Sequence, residues 1–110
     1  MSTVPFTTVE IGPYTYRVNW VDAHWTRATG DVGQHDGTDQ TITLWRGATP
    51  IDLAVTFAHE CGEAIQWIRR HTHEITPHEA IEDASIGMTE IFRRNPEVAR
   101  WWLELLEAAS

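Results

Sequence analysis

Residues 49–70 read TPIDLAVTFAHECGEAIQWIRR, and this stretch decides how the second half of the chain folds. Thr49, Pro50 and Asp52 supply a capping hydroxyl, a first-turn proline and a first-turn acid in that order. We therefore expect a helix from about Pro50 to Arg70. At ~100° per residue, one apolar stripe covers about a quarter of the helix circumference and predicts the core-facing side. That stripe consists of Leu53, Phe57, Cys61, Ala64 and Ile68.

The chain before this helix has the alternation of side chains that is typical of strands. Apolar and polar residues alternate from Tyr14 to Val21, and a Gly12-Pro13 turn signal separates this strand from a possible partner over Phe6–Ile11. Gln40–Trp45 predicts a further strand. The glycine-containing segment 23–39 between them is interpreted as a long loop.

Two more helices are predicted after residue 70. Thr76-Pro77-His78-Glu79 has the form of a capping box, so the second helix should continue to about Arg94, and Asn95-Pro96-Glu97 should end it and begin a third. On the third helix we expect an apolar stripe that includes Trp101 and Trp102 to pack on the core. The order of elements predicts an α+β fold, a short N-terminal antiparallel sheet followed by three helices, in one domain over residues 1–110.

Composition excludes several classes of function. A net charge of −8, with eight Arg and no Lys, repels phosphate backbones and anionic lipid, so we expect no nucleic-acid partner. No apolar run is long enough for a membrane span, and the single Cys61 cannot form an intramolecular disulfide. We therefore expect a cytoplasmic protein that does not contact a membrane.

The first long helix also carries a possible metal site outside its core stripe. His59 and Glu63 stand one turn apart, about 40° from each other around the helix, and Glu60 projects between this pair and the core stripe. Two ligands at this spacing can hold one ion, and the adjacent carboxylate can accept a proton from water that the ion activates. In the alternative interpretation, His59 and Glu63 are an ordinary surface pair and Glu60 is a solvated charge.

The segment Thr56–Ile65, TFAHECGEAI, resembles the helix signature of small phage-type metallopeptidases, in which Thr-x-x-His-Glu-x-x-His/Glu-Ala-Ile follows a short sheet. Weaker likenesses cover Gly33–Leu44 and Arg93–Pro96. The resemblance implies a minimal zincin-like fold and a zinc-dependent peptidase, with Mn²⁺ or Fe²⁺ as other possible ions. It implies that Glu60 is the general base, that a peptide or protein is the substrate, and that the protein works in the host cytoplasm if it is phage-encoded.

A third protein ligand must come from outside the first helix. The second helix offers His78, Glu79, Glu82 and Asp83. If Ile81, Ser85, Met88 and Phe92 form the inward stripe of that helix, His78 and Glu82 lie at the edge of the stripe and the other two acids point away.

The resemblance favours His78, because members of the group with Glu at the fourth motif position carry His at the start of the next helix. It thus implies His59, Glu63 and His78 as the ligands. Glu82 then either accepts a hydrogen bond from an imidazole or replaces His78. A likeness to the second-helix Glu-x-x-x-Asp element of thermolysin-like enzymes would choose Glu79 instead.

Four histidines remain without a predicted role in the site. His71 and His73 lie in the connection between the first two long helices, where they either face solvent or donate hydrogen bonds to an oxyanion. His24 and His35 lie in the segment interpreted as a loop. Two functions other than hydrolysis also stay open: a metal-stabilised module without catalysis, and a metal-free interaction domain that uses Trp101 and Trp102.

Overall fold

The computed structural model describes residues 4–109, in which four strands form one sheet in the order β1-β2-β4-β3. The strands are β1 (Thr8–Ile11), β2 (Tyr14–Val21), β3 (Gly33–Asp36) and β4 (Thr41–Trp45). β1 and β2 form an antiparallel hairpin whose turn contains Gly12 at a φ of 56°. Glycine suits this position because its lack of a Cβ makes the left-handed region accessible.

The expectation of an antiparallel sheet was wrong, because the sheet is mixed. β2 and β4 run parallel, with Val18 opposite Ile42, whereas β3 and β4 are antiparallel. Parallel strands need a connection that returns the chain to the same end of the sheet. Segment 22–40 makes this return, so the first half is not a simple series of hairpins.

Segment 23–39 is not a loop, since it contains α1 (Ala23–Thr29) and β3. The Asp22 side chain accepts hydrogen bonds from two backbone N–H groups at the start of α1, and Gly30 ends this helix at a φ of 78°. No residue of α1 is buried, so the apolar periodicity that reveals most helices is missing. β3 reads GQHD and lies at the sheet edge, where a strand needs few apolar residues.

Three long helices follow the sheet, and all three begin where the sequence predicts. They are α2 (Pro50–Arg69), α3 (Pro77–Arg94) and α4 (Pro96–Ala109). The Thr49 side chain accepts a hydrogen bond from the N–H of Asp52, and both halves of the predicted capping box are present at Thr76. The architecture is therefore α+β: a four-stranded mixed sheet with four helices in the described part of the chain.

The core lies between the sheet and α2. Phe57, Cys61 and Ala64 of the predicted stripe are fully buried, Leu53 is 6% exposed, and Ile68 packs against the core from its edge. Trp101 and Trp102 also pack on this core: Trp101 contacts Phe57 edge to face, and the Trp102 ring N–H donates to the Ala54 carbonyl at 3.0 Å. The predicted packing of these tryptophans is thus confirmed.

Asn95 fastens the junction of α3 and α4 to the sheet. Its side chain accepts from the N–H of Glu10 at 2.9 Å and donates to the carbonyls of Glu10 (2.9 Å) and Ile91 (2.7 Å). Asn95 is only 4% exposed, so these bonds satisfy groups that water does not reach freely. Among the helices of residues 4–109, none is long and apolar enough to cross a membrane.

Candidate metal and catalytic site

Three polar side chains of α2 converge at one place on the surface. His59, Glu60 and Glu63, called the α2 triad below, each offer one ligand atom within 4.8 Å of the other two. His59 Nε2 lies 3.1 Å from Glu63 Oε1. The side chains of His59 and Glu63 are 66% and 50% exposed, so both are open to solvent, whereas Glu60 is only 5% exposed. Glu60 is therefore not the solvated charge of the alternative interpretation.

The burial of Glu60 depends on the close approach of β3. A Cβ at Gly33 would lie 2.4 Å from Thr56 Cγ2 and 3.2 Å from Glu60 Oε2. Any larger residue at position 33 would force the Thr56 side chain or the strand itself to shift, because real Cβ atoms do not approach this closely. Gly33 thus lets the edge strand lie directly over the Glu60 carboxylate.

The surroundings of Glu60 make its charged form costly. The pKa of Glu60 is raised to about 7, chiefly by burial and then by charge repulsion and a hydrogen bond from the Glu63 carboxyl, with His59 acting in the opposite direction. The carboxyl is therefore close to half-ionised at neutral pH. A group in this state can both accept and return a proton.

The α2 triad lies where two surface hollows meet. His35, Glu63 and Trp67 line one hollow. Gly33, Thr56 and Glu60 line the other, and His59 belongs to both. The two hollows have only His59 in common among their lining residues, and together they are called the candidate cleft below.

His35 is a member of this cleft that sequence reasoning left without a role. It lies on β3, and its Nε2 is 2.9 Å from the Tyr16 hydroxyl. Burial lowers the pKa of His35, while the negative charges of Glu63 and Asp36 act in the opposite direction. A neutral imidazole whose Nε2–H donates to the Tyr16 oxygen has a free lone pair on Nδ1 for a ligand, whereas a Tyr16 hydroxyl that donates to Nε2 leaves the ring proton on Nδ1. The period-2 pattern that would have revealed β3, and so the direction of His35, is absent from GQHD.

His78 is not brought to the α2 triad. Its side chain is 88% exposed, and its Nε2 lies 3.6 Å from Glu82 Oε2 on the same helix. Asp83 of α3 pairs with Arg69 at 3.3 Å, so the start of α3 lies beside the C-terminal end of α2. Ten residues of helix separate Arg69 from His59, about 15 Å along the axis. The predicted set of His59, Glu63 and His78 is therefore not assembled in the structure.

The predicted inward stripe of α3, on which the ranking of these ligands depended, was wrong in its N-terminal half, whereas Met88 and Phe92 of its C-terminal half pack against the core as predicted. Ile81 is 66% exposed and Ser85 is exposed, whereas Asp83 and Ile91 are buried. α3 instead approaches α2 through Gly87, where a Cβ would lie 2.4 Å from Ile65 Cδ1. A buried, ion-paired aspartate and a glycine contribute nothing to an apolar pattern, so hydrophobic periodicity misplaced the inward face over the first half of the helix.

The remaining predicted candidates have local partners. Glu79 completes the capping box of α3, as predicted, and its Oε2 is 3.1 Å from His73 Nε2. His71 Nε2 is 2.7 Å from Asp83 Oδ2. His24 lies exposed in α1. Neither His71 nor His73 belongs to the α2 triad, and together with Glu79 they form a second group whose ligand atoms lie within 4.8 Å of one another.

The chain was compared with protein-family models, with curated proteins and with solved structures, and no match was found in any of the three.

Proposed function

We propose that the protein is a metal-dependent hydrolase of peptide or amide bonds whose reaction takes place at the α2 triad. The observation that supports this most directly is the convergence of His59, Glu60 and Glu63 beside an open cleft, with Glu60 alone withdrawn from solvent. The solvent-facing His59 and Glu63 could hold an ion. The shielded carboxylate of Glu60 would then be left to accept and donate a proton.

The donor atoms suit a small divalent ion. Two ligand atoms that each lie 2.0–2.1 Å from a tetrahedral zinc ion are roughly 3.3 Å apart. The distance from His59 Nε2 to Glu63 Oε1 is 3.1 Å, close to that value. One imidazole and one carboxylate make a mixed nitrogen and oxygen site, which favours Zn²⁺ and is compatible with Mn²⁺ or Fe²⁺.

We propose His35 as the third protein donor. It lines the same hollow as His59 and Glu63 but lies outside the 4.8 Å group that they form with Glu60, and its bond to Tyr16 would orient the ring and set its tautomer. With His35, the set becomes two imidazoles and one carboxylate, the inventory of many hydrolytic zinc sites. His78 stays a prediction from the resemblance, and nothing in its surroundings favours it.

Within this site, each residue of the chain has a separate task. A bound ion supplies the Lewis acidity that polarises a carbonyl group and acidifies water. Glu60 accepts the proton released when water attacks the carbonyl carbon and delivers it to the leaving amine. Burial under β3 keeps bulk water away from this carboxyl, so the proton stays within reach of the reacting atoms.

The position of β3 favours an extended peptide as the substrate. β3 is one of the two edge strands of the sheet, and it runs past Glu60 through the close approach at Gly33. An edge strand can pair with an added strand through its outer backbone groups. A peptide bound in this way would pass its carbonyl groups over the α2 triad.

Metal content and peptide cleavage together test the proposal. Protein purified without a histidine tag or added metal should carry a divalent ion, which elemental analysis would detect. His59→Ala, Glu63→Ala and His35→Ala should each lose the ion at the α2 triad. Glu60→Gln should retain the ion, yet cleave a peptide library roughly 10²–10⁴-fold more slowly than wild type.

Glu104→Gln, an exposed substitution on α4, is the matched control and should cleave at the wild-type rate. Full activity in Glu60→Gln would refute the assigned role of this carboxylate. An ion at the α2 triad without cleavage of any peptide would instead support the non-catalytic, metal-stabilised module. The metal-free interaction domain is not favoured, because Trp101 and Trp102 are engaged with the core.

A further inference from the structure

The connection between α2 and α3 holds a second group of metal-binding side chains. His71 and His73 lie in this connection and Glu79 in the first turn of α3, and one ligand atom of each lies within 4.8 Å of the others. These three residues are called the connection cluster below. We infer that the connection cluster is a second divalent-metal site of the zinc type, separate from the α2 triad. Two imidazoles and one carboxylate are a usual zinc ligand set.

The Glu79 carboxylate is positioned by the helix start itself. In the capping box, Glu79 Oε1 accepts a hydrogen bond from the Thr76 N–H at 3.4 Å. The other oxygen, Oε2, lies 3.1 Å from His73 Nε2. This separation is close to the roughly 3.3 Å expected between two ligand atoms of one tetrahedral zinc ion. The cap therefore uses one oxygen of Glu79 and leaves the other for an ion shared with His73.

His71 is oriented by a buried carboxylate, which is an independent indication of a metal site. Its Nε2 lies 2.7 Å from Asp83 Oδ2, and the Asp83 side chain is only 7% exposed. An Nε2–H that donates to this carboxylate fixes the tautomer with the lone pair on Nδ1. Imidazoles that bind metals are usually held in this way, with the second ring nitrogen bonded to a carboxylate or a carbonyl.

The charge around Asp83 is consistent with this assignment. Arg69 Nε lies 3.3 Å from Asp83 Oδ1, so the buried carboxylate has a permanent cation on one oxygen and His71 on the other. The Arg69 guanidinium therefore balances the charge of the Asp83 carboxylate without a contribution from His71. An ion here would join the connection to the first turn of α3 and thereby stabilise the packing of α2 against α3.

Zinc titration of a chain that lacks the α2 triad ligands tests the inference. The parent is the untagged full chain with His59→Ala and Glu63→Ala, so binding at the connection cluster does not depend on the proposed hydrolase. Calorimetry with Zn²⁺ alone at pH 7.5 should give one ion per chain. In this parent, His73→Ala should abolish that binding, and Asp83→Asn should weaken it about 10–100-fold.

Two further variants separate loss of a ligand from loss of the fold. Glu79→Gln keeps a side chain that can complete the capping box, yet it removes the anionic ligand, so it should lose zinc while its circular dichroism stays that of the parent. His24→Ala, an exposed histidine in α1, should bind zinc like the parent.

Absence of zinc binding in the folded parent would overturn the inference. Binding that persists at the parent affinity in both His73→Ala and Glu79→Gln would also overturn it, since the ion would then lie elsewhere. His73→Ala in the otherwise wild-type chain should still carry the ion at the α2 triad and still cleave peptide. That result distinguishes failure at one site from failure at the other.

Discussion

Replacing Glu60 by Gln in the metal-free chain should stabilise the protein at pH 8 much more than at pH 4.5. Because Glu60 is 5% exposed and lies beside Glu63, its ionised form is destabilised in the folded state. Its pKa is raised from 4.5 to about 7. A shift of this size corresponds to about 3 kcal/mol of stability.

The sign follows from which state holds the proton more tightly. Between pH 4.5 and about 7 the folded chain keeps the proton on Glu60 and the unfolded chain releases it. Unfolding therefore becomes easier as the pH rises through this window, and the contribution of the protonated carboxyl is present below pH 4.5 and lost above pH 7. Glutamine does not titrate, so Glu60→Gln should not lose folding stability at this position as the pH rises. The free-energy difference between variant and wild type should grow by about 3 kcal/mol from pH 4.5 to pH 8.

Urea unfolding after dialysis against a chelator would measure this difference at both pH values. Glu104→Gln, on the exposed side of α4, provides the matched control and should show no comparable change between the two pH values. A difference for Glu60→Gln that stays constant within about 0.5 kcal/mol across the window would refute the reasoning, because Glu60 would then ionise as easily in the folded chain as in the unfolded one. A clearly higher free energy of unfolding for Glu60→Gln than for wild type at pH 8 would show that the buried carboxylate destabilises the wild-type fold. Functional sites commonly have such a cost in stability.

Three other predictions concern packing, hydrogen bonding and the choice of ligand. Gly87→Ala should destabilise the fold by about 1–3 kcal/mol, because its Cβ would meet Ile65, whereas Gly62→Ala, which meets nothing within 4 Å, should stabilise it by about 0.5–1 kcal/mol. Thermal unfolding of the two variants would measure both changes in stability. Equal changes in the two variants would contradict the tight approach of α3 to α2. Asn95→Ala should cost about 3 kcal/mol in urea unfolding, since it leaves backbone groups of Glu10 and Ile91 without partners, whereas Asn19→Ala at an exposed strand position should cost under 1 kcal/mol. If both variants lost a similarly small amount of unfolding free energy, water would be replacing the hydrogen bonds of the Asn95 side chain. His78→Ala should leave the metal content unchanged, because its side chain is exposed and separated from His59 by most of the C-terminal half of α2; loss of the ion would restore the ligand set that the resemblance implies.

Local signals in the sequence predicted α2 and the spacing of the α2 triad. The Thr49 cap and the following proline define the start of the helix, and the 3.6-residue period then sets the angles among His59, Glu60 and Glu63. These are interactions between residues at most four positions apart. They require no knowledge of the rest of the fold, so the sequence could predict them.

The partners of the α2 triad could not be predicted in the same way. Glu60 is buried because Gly33 lets an edge strand lie against α2, and His35 enters the cleft on that same strand. β3 is short and polar, and its place beside β4 follows from sheet pairing across residues far apart in the chain. No local pattern records such a pairing.

The side of α3 that faces α2 could not be predicted from local sequence either. Hydrophobic periodicity assumes that apolar side chains are buried, yet Asp83 is buried with Arg69 and His71 as partners, while Ile81 and Ile86 face outward. The periodicity placed His78 and Glu82 at the edge of the inward stripe and Asp83 on the solvent side, and the burial of Asp83 shows that this ranking was wrong.

The sequence by itself determined where the three long helices begin, which face of α2 enters the core, and that an imidazole and two carboxylates share one neighbourhood on that helix. Only the tertiary structure decided that Glu60 is shielded, that His35 shares its cleft, and that His71, His73 and Glu79 form a second cluster. Helix starts and helix faces follow from interactions within a turn or two of the chain, whereas burial and shared clefts depend on which distant segments pack together.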